Sequence, residues 1–189
     1  MSGVATAILD AAERRMRIGG FSGFSHREIA AEVGMKSSSV HYHFPTKDNL
    51  AAAVIRRYID HFSDLIDRRL ETEPDLIKVW TDTFRGTVDA EKRICPCVVL
   101  GAGTLDLPPE VAAEVSRFFA MCISKLTKAG LSPNSAAELL STLTGAMIVS
   151  NALHDASLFE RATGELLDET GSKASVAKAE SHLRELLAV

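Results

Sequence analysis

Apolar residues recur along this chain at spacings of three and four, the period of a helix with one face turned inward. Val4, Ala7, Ile8, Ala11 and Ala12 set that pattern for a first helix reaching Arg17, and Gly19-Gly20 ends it. Ser25 is placed as the N-cap of a second helix, with Glu28 three positions on completing a capping-box spacing. Ile29, Ala30 and Val33 form its inner face, and Gly34 suits a left-handed residue just past its end. Val40 and Phe44, four apart, predict a short third helix over 36–44 that Pro45 closes. Thr46 then caps a fourth. Leu50, Val54, Ile55, Tyr58, Phe62, Leu65, Ile66 and Leu70 keep one period to about Glu71, roughly 37 Å of helix at 1.5 Å per residue.

Further helices are predicted over 76–88, less regularly over 94–105, and over 109–129. Another opens at Ser132-Pro133 and runs to about His154, with the phrase LHDASLFERA near its end. A last one spans 175–187, after a loop at 169–175 that contains Gly171. No segment alternates as a strand does, and no Asn-Gly or Asp-Gly hairpin signal is present, so the fold class is all-α.

Charge changes this picture more than composition does. The 189 residues carry a net charge of −4, which argues weakly against nucleic acid. Residues 1–47, however, hold six cations against four anions, and the remainder is −6, an asymmetry that suggests a division of labour. No apolar run approaches the roughly 18 residues of a membrane span, and no signal peptide is visible. Three cysteines, Cys95, Cys97 and Cys122, are too few for a secreted disulfide framework, so a cytoplasmic protein is expected.

The stretch GMKSSSVHYHFPTKDNL concentrates the candidate chemistry. A helix, a turn at Gly34 and a second short helix make a helix-turn-helix, whose second helix enters the DNA major groove. Small serines let its backbone approach closely, and their hydroxyls donate or accept at base edges. Tyr42, His43 and Lys47 have the chemistry of phosphate ligands, and the N-termini of the second and fourth helices can add their dipoles. The alternative is a solvated helix face with incidental histidines. A metal site is excluded for the histidine pair, because His41 and His43, two apart, point to opposite sides of a helix.

TAILDAAERRMRIGGFSGFSHREIAAEVGMKSSSVHYHFPTKDNL resembles the N-terminal domain of the tetracycline-repressor (TetR) family of bacterial transcription regulators. The resemblance covers about 45 residues: a first helix, Gly-Phe, a capped helix with Ile-Ala-x-x-x-Gly, and a closing His-Phe-Pro-x-Lys-x-x-Leu. It implies a DNA-binding domain at 1–47 and a helical effector-binding and dimerisation domain at 48–189. It also implies DNA contacts from Ser25, His26 and Arg27, base reading by Ser37, Ser38, Ser39 and His41, and phosphate contacts from Tyr42, His43 and Lys47. Two departures fall on that face, Ser38 where many members have Gly and His41 where many have Tyr, so the operator cannot be carried over.

For the larger part of the chain the resemblance implies a small-molecule effector and a homodimer. Candidate pocket residues are Phe62, Trp80, Phe84, Phe118, Met121 and Cys122, all of which ordinary core packing would also explain. Ala137, Ser141 and Gly145, four apart, allow close helix approach, with Leu140, Leu143 and Met147 nearby. Together with Val176, Leu183, Leu186 and Leu187 they form the expected dimer face, a four-helix bundle across a two-fold axis. The leading expectation is a repressor released from an inverted-repeat operator by a small molecule. A repressor that senses oxidants or electrophiles through Cys95, Cys97 or Cys122 is the alternative, and structural cysteines compete with it. An enzyme is not expected, because the chain has no G-x-S-x-G, H-E-x-x-H or P-loop; nor is a cofactor. A helical interaction module without DNA is the remaining class.

Overall fold

Side-chain caps open the second and fourth helices, and a left-handed glycine closes the second. A computed structural model describes residues 3–87, 94–164 and 166. Helix α1 spans Gly3–Gly19 and passes into a 3-10 turn at Gly20–Gly23, entered with Gly20 at φ +61°. Helix α2, His26–Val33, starts where the Ser25 hydroxyl accepts the Glu28 N–H at 3.3 Å and donates to the Glu28 carboxylate at 2.8 Å. It stops at Gly34, at φ +73°, where the N–H groups of Gly34 and Met35 turn back to the Ala31 and Ala30 carbonyls. Helix α3 is Ser37–His43, and the Thr46 hydroxyl accepts the Asn49 N–H at 3.0 Å to open α4, Lys47–Leu70. At 24 residues α4 is about 36 Å long.

The other helices are α5, Leu76–Gly86; α6, Pro96–Gly101; α7, Pro109–Lys128; and α8, Pro133–Ala152. A short 3-10 turn, Thr104–Asp106, joins α6 to α7. No strand occurs among the described residues, as the missing alternation required. The helix expected at 175–187, with Val176, Leu183, Leu186 and Leu187, and the loop at 169–175 lie outside the described residues.

The helix expected to run to about His154 ends within two residues of that point, but the stretch LHDASLFERA goes on into a further helical segment that was not expected. Helix α8 ends at Ala152, His154 takes a left-handed φ of 52°, and new helical turns run over 157–164. The Asp155 carboxylate accepts the Ser157 N–H at 3.0 Å and its hydroxyl at 2.6 Å, which starts the new segment.

Helix α4 is the spine. It packs on α1 at its start and on α5 and α7 further along, while α8 closes over α5 and α7 and α6 rests on α1 and α7. Trp80, Phe84, Phe118, Ile55, Ile66 and Leu126 are fully buried around it; each such side chain contributes about 1.5–3 kcal/mol relative to exposure. Asn49 to Glu110, Arg56 to Glu114 and Lys125 to Asp67 tie α4 to α7 along its length. Among the described residues no helix is long and apolar enough to cross a membrane.

Candidate nucleic-acid interface

The face predicted for DNA is built by three short connections. Helix α3 buries only Val40 and is seated by Phe44 just beyond its end. Ser38, His41 and Tyr42 are exposed, Tyr42 to 83%, while Ser37, Ser39 and His43 are half-buried. Arg27, on the first turn of α2, is exposed beside them, and Ser25 is half-buried in its capping role. Small hydroxyls, two imidazoles and a phenol therefore share one end of the molecule with the positive ends of α2 and α4.

Two of the expected contacts are placed differently from a freely exposed ligand. His26 is 8% exposed; its ring stacks on His41 with centroids 4.1 Å apart and planes 5° from parallel. Its Nε2–H donates to the Phe44 carbonyl at 2.8 Å, and the Nδ1–H of His41 donates to the Pro45 carbonyl at 3.2 Å. The pair joins α2 to the turn between α3 and α4, a bond across elements that linear spacing does not reveal. Lys47 is half-buried with its Nζ over the Phe21 ring at 4.4 Å and the Phe24 ring at 5.1 Å. An aromatic seat of this kind holds the ammonium in place without neutralising it.

Sequence reasoning missed the ion pairs behind this face. Arg14 and Arg15 of α1 both donate to the Glu32 carboxylate of α2, at 2.9 and 2.6 Å. Slight burial opposes the Glu32 charge, but the two guanidinium groups outweigh it and hold the carboxyl below its ordinary range. Arg17 is buried deeper. It donates to Glu13 and to the backbone carbonyls of Thr87 and Ile94 at 2.9 and 3.3 Å. Burial works against its charge, yet Tyr58 and Glu13 keep it more firmly protonated than usual. The signal was the mixture of Arg and Glu at helical spacing on α1 and α2, whose pairing across helices is not fixed by sequence.

The residues expected to line an effector pocket are gathered, but as core. Phe62 meets Trp80, Phe84 and Phe118 with ring centroids 6.1, 5.4 and 5.3 Å apart, and Cys122 is buried with them. Met121 is half-buried. The Trp80 Nε1–H is buried without a hydrogen-bond partner. A cavity of about 170 Å³ opens elsewhere, between α5, α8 and the turns at 157–164, and none of the six residues is among its described lining.

Cys95, Cys97 and Cys122 are free and buried. Burial pushes the Cys97 and Cys122 thiols up, whereas at Cys95 contacts from Cys97 and Tyr58 overcome burial and pull it down. A thiol shut off from solvent is slow to meet an oxidant, which weighs against thiol sensing. No group of three or more His, Cys, Asp or Glu among the described residues is placed to hold a metal ion.

Residues 8–54 match the family model described as bacterial regulatory proteins, tetR family. The whole chain is similar to solved structures that carry the same description. A TetR transcriptional regulator from Legionella pneumophila shares 23% identity, with 90% of this chain and 98% of that one covered at a TM-score of 0.81. A TetR-family transcriptional regulator from Agrobacterium tumefaciens shares 26%, over 87% and 96%, at 0.81. A TetR-family member from Streptomyces coelicolor shares 25%, over 88% and 98%, at 0.70. No protein of curated function matches the sequence. Residues 8–54 thus carry the sequence pattern of the tetR family of bacterial regulatory proteins, and the described helices share the fold of TetR-family transcriptional regulators.

Proposed function

We propose that the protein is a homodimeric repressor that leaves an inverted-repeat operator when a small molecule binds its helical domain. Residues 1–47 are the DNA-binding part and 48–189 the effector-binding and dimerisation part. The observation that carries this reading is the exposed end of the molecule, where Ser38, His41 and Tyr42 stand on α3 beside Arg27 and Lys47. The serines and His41 read bases, and Arg27, Tyr42, His43 and Lys47 hold phosphates. Helix α4 begins in that face and ends beyond the core that Phe62 organises. A rod of about 36 Å converts a small tilt at one end into a displacement of several ångströms at the other. Two recognition helices spaced for successive major grooves cannot both stay seated after such a shift.

The test is selection of double-stranded DNA from a random pool by the purified protein, followed by anisotropy titrations at several salt concentrations. An inverted repeat is expected. Lys47→Ala should weaken selected and random DNA alike and lower the salt slope by about one unit. Ser38→Ala should instead change preference among related sites by ~1–3 kcal/mol where a base contact is lost. A pool that shows no enriched sequence would overturn the proposal.

A further inference from the structure

The cavity beside the core has a composition that restricts what it can hold. Ile94, Met147, Ala156 and Phe159 give it apolar walls, Asn151 and His154 add polar groups at its rim, and at about 170 Å³ it is close in size to the engineered cavity of about 150 Å³ that takes up benzene. Two charged groups reach its edge, but they satisfy each other. Arg85 donates through Nε and Nη2 to both Glu160 oxygens at 2.7 and 2.8 Å, and its Nη1 is engaged by Asp82. Ser150 also belongs to the lining, and its hydroxyl is buried and has no hydrogen-bond partner. Leaving a buried hydroxyl unpaired is unfavourable, and a ligand that supplies its partner recovers that cost.

We infer that this cavity is the effector site, that it takes a compact uncharged molecule the size of one aromatic ring with a single hydroxyl or carbonyl, and that Arg17 carries its occupancy to the DNA-binding helices. The inference rests on the reading of the chain as an effector-released regulator. A charged ligand is rejected because it would leave water for a mostly apolar space in which Arg85 and Glu160, the charged pair of the described lining, already satisfy each other. Ser150 bonds the polar group of the ligand, and Phe159 and Met147 pack on its ring.

The route to DNA begins at the cavity wall. Ile94 lines the cavity and its carbonyl accepts from Arg17 Nη1. Met147 lines it too, and its sulfur meets the Thr87 hydroxyl at 3.9 Å, while the Thr87 carbonyl accepts from the same Arg17 Nη1. Arg17 in turn holds Glu13 of α1, whose other oxygen accepts from Arg57 of α4 at 2.9 Å. Arg17 is thus a positioning residue, in contact with neither ligand nor DNA. A wall displaced by a bound molecule pulls on the two carbonyls that fix the end of α1 and, through Glu13, on α4.

Calorimetric titration of the full chain with phenol, toluene, benzoate and benzylammonium, without DNA, tests the site apart from the regulator reading. Saturable binding of phenol is expected, with both ions at least tenfold weaker. Ser150→Ala should weaken phenol about fivefold to tenfold and leave toluene unchanged, while Ala156→Trp should fill the space and abolish both. No binding of phenol or toluene, or phenol binding that neither variant alters, overturns the site. The relay is tested by anisotropy on selected operator DNA. Phenol should release the native protein, and Arg17→Lys should bind phenol and DNA normally yet fail to respond. A full response in Arg17→Lys, or phenol binding without release of the native protein, overturns the relay. Absence of DNA binding in the unliganded protein would instead sink the regulator reading and leave the calorimetric result standing.

Discussion

A histidine at the start of α2 has two possible occupations, touching DNA or holding the helix that does. The buried ring of His26, stacked on His41 and bonded to the Phe44 carbonyl, favours the second. His26→Ala should therefore lower the stability of the DNA-free protein by about 1–3 kcal/mol, read from the urea unfolding midpoint. Removal of an exposed contact would leave it within about 0.5 kcal/mol. Glu32 supplies a pH test at the same scale. Its folded pKa lies below the ordinary carboxylate value of 4.5 because Arg15 and Arg14 outweigh a small burial. Its pairing therefore adds stability above that value and loses it as pH falls through the lowered one. Glu32→Gln should cost about 0.5–1 kcal/mol at pH 7, and the gap between variant and native unfolding curves should close in acid.

At the scale of elements, the turn between α2 and α3 depends on one backbone conformation. Gly34 sits at φ +73°, and a Cβ added there would meet nothing within 4 Å. The cost of Gly34→Ala is thus conformational, about 1–2 kcal/mol, and Gly34→Asn should cost less because Asn tolerates the left-handed region. Thermal unfolding of the two variants checks the order. This region was readable from sequence because its signals are local: Ser25, Gly34, Pro45 and Thr46 each act within four residues. The helical turns at 157–164 were not: the end of α8 was read to within two residues, but only the Asp155 bonds to Ser157 mark the new start. The cavity was hidden for a related reason. Its walls come from α5, α8 and the turns at 157–164, so no window of sequence contains it. The large aromatics that drew attention instead, Trp80, Phe84 and Phe118, are the residues most able to fill space, and they do so as core.

At the scale of the molecule, the unresolved demand is the outer face of α8. This helix carries small and apolar residues on its outer side as well as its inner one, with Glu138 its one charged residue, a pattern that suits a helix covered on both sides. Leu139, Leu140, Leu143, Ala146 and Met147 face the chain's own core. Ile148 and Val149 remain 45% and 47% exposed, and Leu153 lies open past the end of the helix. Ala137 and Ser141 are exposed too, in line with half-buried Gly145, where close approach by a second helix meets little bulk. In the proposed dimer, a second copy related by a two-fold axis would satisfy this face and would also present two α3 helices to DNA. Symmetric half-sites about 34–36 Å apart, or a multiple of that, follow from such a dimer. A single α3 with its few phosphate contacts binds weakly on its own, so affinity and assembly should fail together. Gly145→Glu and Val149→Glu place a charge on the face without touching the DNA end. Both should sediment as monomers with unchanged helical circular dichroism, and both should lose tight binding to an inverted repeat while keeping weak, salt-sensitive binding to any duplex. A native chain that sediments as a monomer at concentrations where it saturates the operator would defeat the argument.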